Sequence, residues 1–202
     1  MLRRTVLRGA ALCLALPAFA NAEVATYALD PAHSEMGFTV RHFVSKVPGR
    51  FGTFEGTIEV DPKDLSTMKA QAKIDAATID TRNEKRDGHL RSADFFDTAT
   101  HKDITFTSKK MAKNGDRWSL TGDLTMRGVT KEVTLDVDAL GFMPDPWGGE
   151  RAGFEARGKV NRQDFSIKWN QVLDQGGTML SDDVELVLRV EAVKEKPGQA
   201  SK

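Results

Sequence analysis

Apolar and polar residues alternate with a period of two along most of this chain. Between Ser34 and Arg41, the positions Met36, Phe38 and Val40 are apolar, whereas Glu35, Thr39 and Arg41 are polar. The same rhythm carries Phe54 and Ile58 in the next run, Ile74 in the third and Phe106 in the fourth. It continues with Trp118, Leu120 and Leu124, then Leu135 and Val137, then Phe154, and ends with Leu186 and Leu188. Successive side chains of a strand point to opposite faces, so this alternation predicts half-buried strands with one apolar face. A helix would need apolar spacings of three and four, which these runs lack.

Eight runs predict strands at 33–42, 49–60, 69–76, 103–110, 116–126, 130–141, 151–161 and 183–193. Asn114-Gly115 reads as a two-residue hairpin turn. Asp61-Pro62, Arg127-Gly128, Gly176-Gly177 and a longer loop over 144–149 separate other runs. Short connections make consecutive strands antiparallel neighbours. Thr81-Arg82-Asn83-Glu84 fits a capping box that opens one short helix running to Arg91, weakened by Gly88 by roughly 1 kcal/mol. The expected fold is therefore all-β and antiparallel, with eight strands and a short helix after the third. It closes as an up-and-down barrel or stacks as a sandwich. Strands of about ten residues, at ~3.3 Å each and tilted near ~40°, would make a barrel roughly 25 Å deep. Gly37, Gly52, Gly56 and Gly122 read as small inward positions that leave volume unfilled.

The first residues do not share the pattern. Arg3, Arg4 and Arg8 flank or precede an apolar stretch from Gly9 to Phe19, followed by the small-residue patterns Ala18-Phe19-Ala20 and Ala20-Asn21-Ala22. This predicts a cleaved secretory signal, because a membrane span needs a longer apolar run of ~20 residues. Arg3-Arg4 also resembles a twin-arginine signal, so either export route fits. The expected organisation is a signal over 1–22, one barrel domain over 23–193 and a flexible tail over 194–202, in the periplasm or secreted. Formal charge balances over the 202 residues, with 29 Lys plus Arg against 29 Asp plus Glu. Losing the three signal arginines leaves about three net negative charges, which argues against a nucleic-acid partner. Cys13 is the single cysteine and lies in the signal, so no disulfide or thiol chemistry is expected of the mature domain.

Little in the sequence suggests catalysis. His33, His42, His89 and His101 have neither Cys–His spacing nor a His-Glu-x-x-His arrangement, so no metal site is expected. Ser34 follows His33 without the Gly-x-Ser-x-Gly elbow of a hydrolase. Asp80, Asp87, Asp94 and Asp97 with Arg82, Arg86 and Arg91 read as a surface salt-bridge network. No catalytic residue and no cofactor is expected, which favours a carrier. On alternation alone the inward side chains either fill a core or line a ligand tunnel.

Several blocks resemble, in one colinear order, the YceI-like family of polyisoprenoid-binding proteins. They are His33-Ser34, Phe38 to His42, Val47 to Phe51 and the long block from Asn83 to Asp97, then Ile104 to Ser108, Leu120 to Thr125 and Gly128 to Thr130. Gly153-Phe154, Asn161 to Phe165, Trp169-Asn170 and Ser181-Asp182 complete the series. Ser166, where glycine is expected, and Lys102, where proline is expected, depart from the family pattern. The resemblance implies a lipocalin-like barrel with an apolar tunnel for a polyisoprenoid or an isoprenoid quinone, bound without chemistry. The apolar strand faces that would line such a tunnel are Met36, Phe38, Val40, Phe54, Ile58, Ile74, Phe106, Trp118, Leu120, Leu124, Leu135, Val137, Phe154, Leu186 and Leu188. Trp147, Arg151 and Trp169 are candidates for the tunnel mouth. Expected partners are a long-chain isoprenoid lipid and, transiently, a membrane surface, with a homodimer left open. The alternatives are an enzyme or redox accessory acting on the bound isoprenoid, and a stress-related module that binds protein.

Overall fold

The structure is a computed structural model that describes residues 23–174 and 176–196; the predicted signal and residues 197–202 of the predicted tail lie outside this range. Its strands are β1 (Ala25–Leu29), β2 (Glu35–His42), β3 (Ser45–Phe51), β4 (Phe54–Asp61), β5 (Asp64–Asp75) and β6 (Ile79–Asp80). After the helix α1 (Glu84–Arg91) come β7 (Asp103–Asn114), β8 (Arg117–Met126), β9 (Val129–Pro144), β10 (Glu150–Asn161) and β11 (Leu180–Lys194).

These segments build eight barrel strands, because three of the eight are interrupted. β1 and β2 both lie along β11, with Tyr27 opposite Lys194 and Phe38 opposite Leu186, and form one kinked first strand. β3 and β4 run beside it as the second, through Phe38 opposite Gly49 and Tyr27 opposite Ile58. β5 and β6 follow as the third, with Ile58 opposite Ala70 and Phe51 opposite Ile79. β7 to β11 continue as an antiparallel meander, and β11 returns to the first strand, so the sheet closes. Closure leaves no edge along the main ring.

Four local expectations need correction. The first strand begins at Ala25, well before the apolar run at Met36, because its alanines carry little strand signal; Tyr27 is its buried anchor. The predicted strand 49–60 starts at Ser45 and breaks at Gly52-Thr53, whose N–H groups donate to Thr78 Oγ1 (3.1 and 3.0 Å) instead of joining the ladder. The hairpin between β7 and β8 has Gly115-Asp116 at its centre, since a bulge between Ser108 and Lys110 shifts the pairing to Asn114 opposite Arg117. Helix α1 is capped by Asn83, whose side chain accepts from the Arg86 N–H at 3.1 Å. Thr81 is excluded from that role because Arg82 turns left-handed (φ 61°) and the Thr81 hydroxyl donates to Asp87.

A meander places successive connections at opposite ends. One pole, here the helix pole, carries the β2–β3 turn, α1, the β8–β9 turn and the connection from β10 to β11. The other carries the β4–β5, β7–β8 and β9–β10 turns together with β1's start and β11's end. Two apolar clusters follow this division. Tyr27, Val60, Met111, Ala152 and Ala192 belong to the first, at the pole with the strand ends. Phe95, Met126, Phe165 and Ile167 belong to the second, at the helix pole.

Candidate functional site

Between the two clusters the barrel interior holds a cavity of about 650 Å³. That is within the usual range of ligand sites, ~300–1,000 Å³. Every barrel strand contributes apolar wall: Met36, Phe38 and Val40 from the first, Ile58 from the second and Ile74 from the third. Phe106, Leu120, Leu124, Leu135, Val137, Phe154, Leu186 and Leu188 complete the ring. Phe54 and Trp118, also expected there, do not border the space. Phe54 is buried away from it, and Trp118 packs on the first cluster.

The glycines expected to leave room do something else. A side chain on Gly122 would meet the Phe106 ring at 2.6 Å, so Phe106 already fills the position. Leu29 likewise covers Gly56, at 2.9 Å from where a Cβ would stand. Gly37 lies on the outer face beside the Glu35 carboxylate. Gly49, not among the glycines expected to leave room, gives way to the Phe38 ring lying across it. The volume comes instead from barrel girth and from small wall residues such as Ala70, Ala72 and Ala156.

The cavity lining reaches the surface at the helix pole, where the exposed residues Asn83 and Lys85 border it, along with His42 and Met179. His89 stands beside them in a cluster of rings, 5.0 Å from both Phe95 and Trp169, and its Nε2 pairs with Asp94 at 2.8 Å. Phe95 and Trp169 are 5.2 Å apart. Of the three mouth candidates, only Trp169 is here. Trp147 and Arg151 flank the β9–β10 turn at the far pole, where Arg151 pairs with Asp30 (2.9 Å), Asp145 (3.7 Å) and Glu191. Trp147 is 79% exposed.

Arg162 is the residue that sequence reasoning missed. It is buried, 4% exposed, beside the cavity. Its guanidinium donates to the carbonyls of Ser181 (3.0 Å), Ile167 (2.8 Å) and Trp169 (2.7 Å) and to Asp182 (3.0 Å). Burial pulls its pKa below the ordinary value, while Asp182 opposes that shift. The hydrogen bonds hold Trp169 and the start of β11 in place. A buried arginine needs such complete pairing to be tolerated. The signal available in sequence was its place within the Asn161 to Phe165 block.

The acidic and basic residues around α1 are less superficial than expected. Asp87 is buried and accepts from the Thr81 N–H at 3.0 Å, and Arg86 donates to the Thr81 hydroxyl and carbonyl, both at 2.6 Å. Together they tie the helix to the end of β6. Among the described residues, every buried side-chain nitrogen and oxygen has a partner. The described residues bring Asp30, His33 and Glu191 within 4.8 Å of one another, but Arg151 already donates to both carboxylates.

The comparisons agree with this architecture. The family model of the YceI-like domain matches residues 27–192. Protein YceI of Escherichia coli O157:H7 is 42% identical over 179 residues, covering 87% of this chain and 91% of that protein. Burkholderia cenocepacia BcnA superposes with a TM-score of 0.71 at 23% identity, covering 81% of this chain and 99% of its own. A polyisoprenoid binding domain from Saccharophagus degradans gives 0.62 at 19% identity, covering 85% and 99%. At those identities both structures speak for the fold alone, a closed lipocalin-like barrel.

Proposed function

This chain belongs to the YceI-like family, and from that premise we propose that its barrel takes up a long apolar chain, a polyisoprenoid or the tail of an isoprenoid quinone, and carries it outside the cytoplasm. The observation that carries the reading is the cavity itself, walled by apolar side chains from every strand and reaching the surface at one pole. The fold shared with a polyisoprenoid binding domain supports the ligand class. Carriage rather than chemistry is supported by the use of the polar groups at the mouth. Arg162 and Arg86, which border the cavity, are spent on the protein's own carbonyls and the Thr81 hydroxyl.

Each methylene removed from water is worth about 0.8 kcal/mol. The membrane offers the same gain, so the exchange from bilayer to barrel is close to neutral. A carrier needs this balance, because it must both load and release.

Ala156→Phe and Ala70→Phe each place a ring in the cavity. Wild-type protein recovered from the periplasmic fraction should release a long isoprenoid on solvent extraction, detected by mass spectrometry. The plugged variants should stay folded and come out empty. If the interior were a packed core, the same changes would cost roughly 1–3 kcal/mol of stability with no ligand to lose. Wild-type protein that never carries an apolar molecule sinks the reading, and retention in the cytoplasm sinks its export.

A further inference from the structure

The turn between β2 and β3 breaks two rules at once. His42 pairs with Ser45, leaving Phe43 and Val44 as the two central residues. Phe43 holds a positive φ of 49°. The equivalent first position of the β7–β8 hairpin is Gly115, at φ 61°. Two-residue hairpins favour Gly, Asn or Asp at such positions, and a bulky residue there is strained. The second rule is burial: Phe43 is 41% exposed and Val44 fully so. A tip built for stability alone would bear neither side chain.

The tip is anchored from both sides. The Phe43 N–H donates to the Met179 carbonyl at 2.9 Å, and Arg41 Nη1 donates to the Phe43 carbonyl at 2.7 Å. Met179 in turn donates to the carbonyl of Gln171, next to Val172, which is 77% exposed. Turn and loop thus form one platform carrying three exposed apolar side chains. Both Met179 and His42, the residue before the tip, line the cavity. The platform therefore continues the apolar surface of the cavity out to solvent.

We propose that this platform docks on a phospholipid bilayer, with Phe43 and Val44 entering the interfacial layer. This rests on the carrier reading above, since it gives an apolar chain a path from bilayer to barrel that avoids water. A two-residue turn and one loop residue cannot supply the ~800 Å² per side of a stable protein interface. Insertion into a bilayer asks only for exposed apolar area near the headgroups. Segment 41–46 adds Arg41 and Lys46 and no carboxylate, although Lys46 pairs with Glu185 at 2.7 Å. Leu140, Met143 and Trp147 form a second exposed apolar set, but at the far pole, which Tyr27, Val60 and Ala192 close without exposure.

The test uses vesicles of phosphatidylethanolamine and phosphatidylglycerol with three proteins: wild type, Phe43→Asn/Val44→Gly, and Met143→Ser/Trp147→Ser. Asn tolerates the positive φ of residue 43 better than Phe does, so the first variant's melting temperature should hold; Val44→Ser alone serves if it does not. Wild type and the far-pole variant should float with the vesicles, and the tip variant should partition at least tenfold less. The tip variant should also load a fluorescent farnesyl probe more slowly from vesicles, yet reach the same occupancy from detergent. Equal flotation of the tip variant, loss of flotation in the far-pole variant, or a wild-type dimer that the tip change dissociates would each overturn docking. Wild type that floats but takes up no probe leaves docking standing and removes the carrier reading. Wild type that loads from detergent but never floats does the reverse.

Discussion

Tyr27 is fully buried at the pole opposite the mouth, and its hydroxyl donates to Glu150, which Lys194 approaches at 3.5 Å. Burial raises its pKa well above the ordinary phenol value, with the Glu150 hydrogen bond adding to the shift. The fold therefore holds this proton more tightly than the unfolded chain does. Its contribution is complete below about pH 10 and is lost as pH rises beyond it, by at most about 1.4 kcal/mol per pH unit. Tyr27→Phe should cost roughly 0.5–3 kcal/mol at neutral pH. It should also flatten the alkaline limb of a stability curve measured by denaturant titration; an unchanged alkaline slope would show that Tyr27 does not produce it. Asp30 behaves in the opposite sense. His33 and Arg151 hold its carboxyl below the ordinary range, so its share is present above that range and fades in acid. Ser166 shows how a residue can sit in a place made for another. It ends the 310 turn after β10 at φ 61°, a left-handed position where glycine costs less. Nothing in an alternation pattern could mark Arg162, because its value comes from carbonyls that only the folded chain brings together.

Helix α1 was legible as an element but not in its cap. It is short, with mixed polar faces, and is held by Asn83 at one end and by Asp87 and Arg86 against Thr81. Gly88 weakens it for no spatial reason, since a Cβ there would meet nothing within 4 Å. Gly88→Ala should therefore stabilise the protein by about 1 kcal/mol. For a domain of this size that is about 2–4 °C in melting temperature. A lower melting temperature would mean that the glycine serves a motion of the mouth. The strands were legible in type and in inward face, because the pleat is set locally. Their ends were not. The break at Gly52-Thr53 depends on Thr78, about 25 residues further along, and the bulge at Ser108–Lys110 that moves the hairpin centre depends on pairing with β8.

At the scale of the molecule, the barrel stacks two apolar clusters, one at each pole, with a cavity between them that reaches the surface at the helix pole. Empty volume costs stability, since its walls forgo packing contacts. A guest that fills it should return that loss. Protein stripped by organic extraction and refolded should melt lower than protein carrying cargo. With cargo at a hundred times its dissociation constant the difference is about 2.7 kcal/mol, or roughly 5–10 °C at this size. Identical melting of loaded and stripped protein would mean that the cavity is not where the cargo sits. The opposite placement of Trp147 and Trp169 also belongs to this scale. Consecutive connections of a meander alternate poles, so the β9–β10 turn and the β10–β11 connection face opposite ways.

Periodicity determined that this chain is a set of strands with one apolar face each, because side-chain direction along a pleated strand is a local property, and the short connections made those strands antiparallel. The same local pattern placed Met36, Phe38, Leu120, Leu135 and Leu188 on the inner face. Only the tertiary structure decided that the inner faces enclose space instead of meeting. That outcome depends on the girth of the closed ring and on which neighbours cover each gap, as Phe106 covers Gly122 and Leu29 covers Gly56. It alone decided which pole opens. One end is filled by Tyr27 and its neighbours, while at the other Arg162 holds a connecting segment beside the opening, through contacts among residues that are distant in sequence.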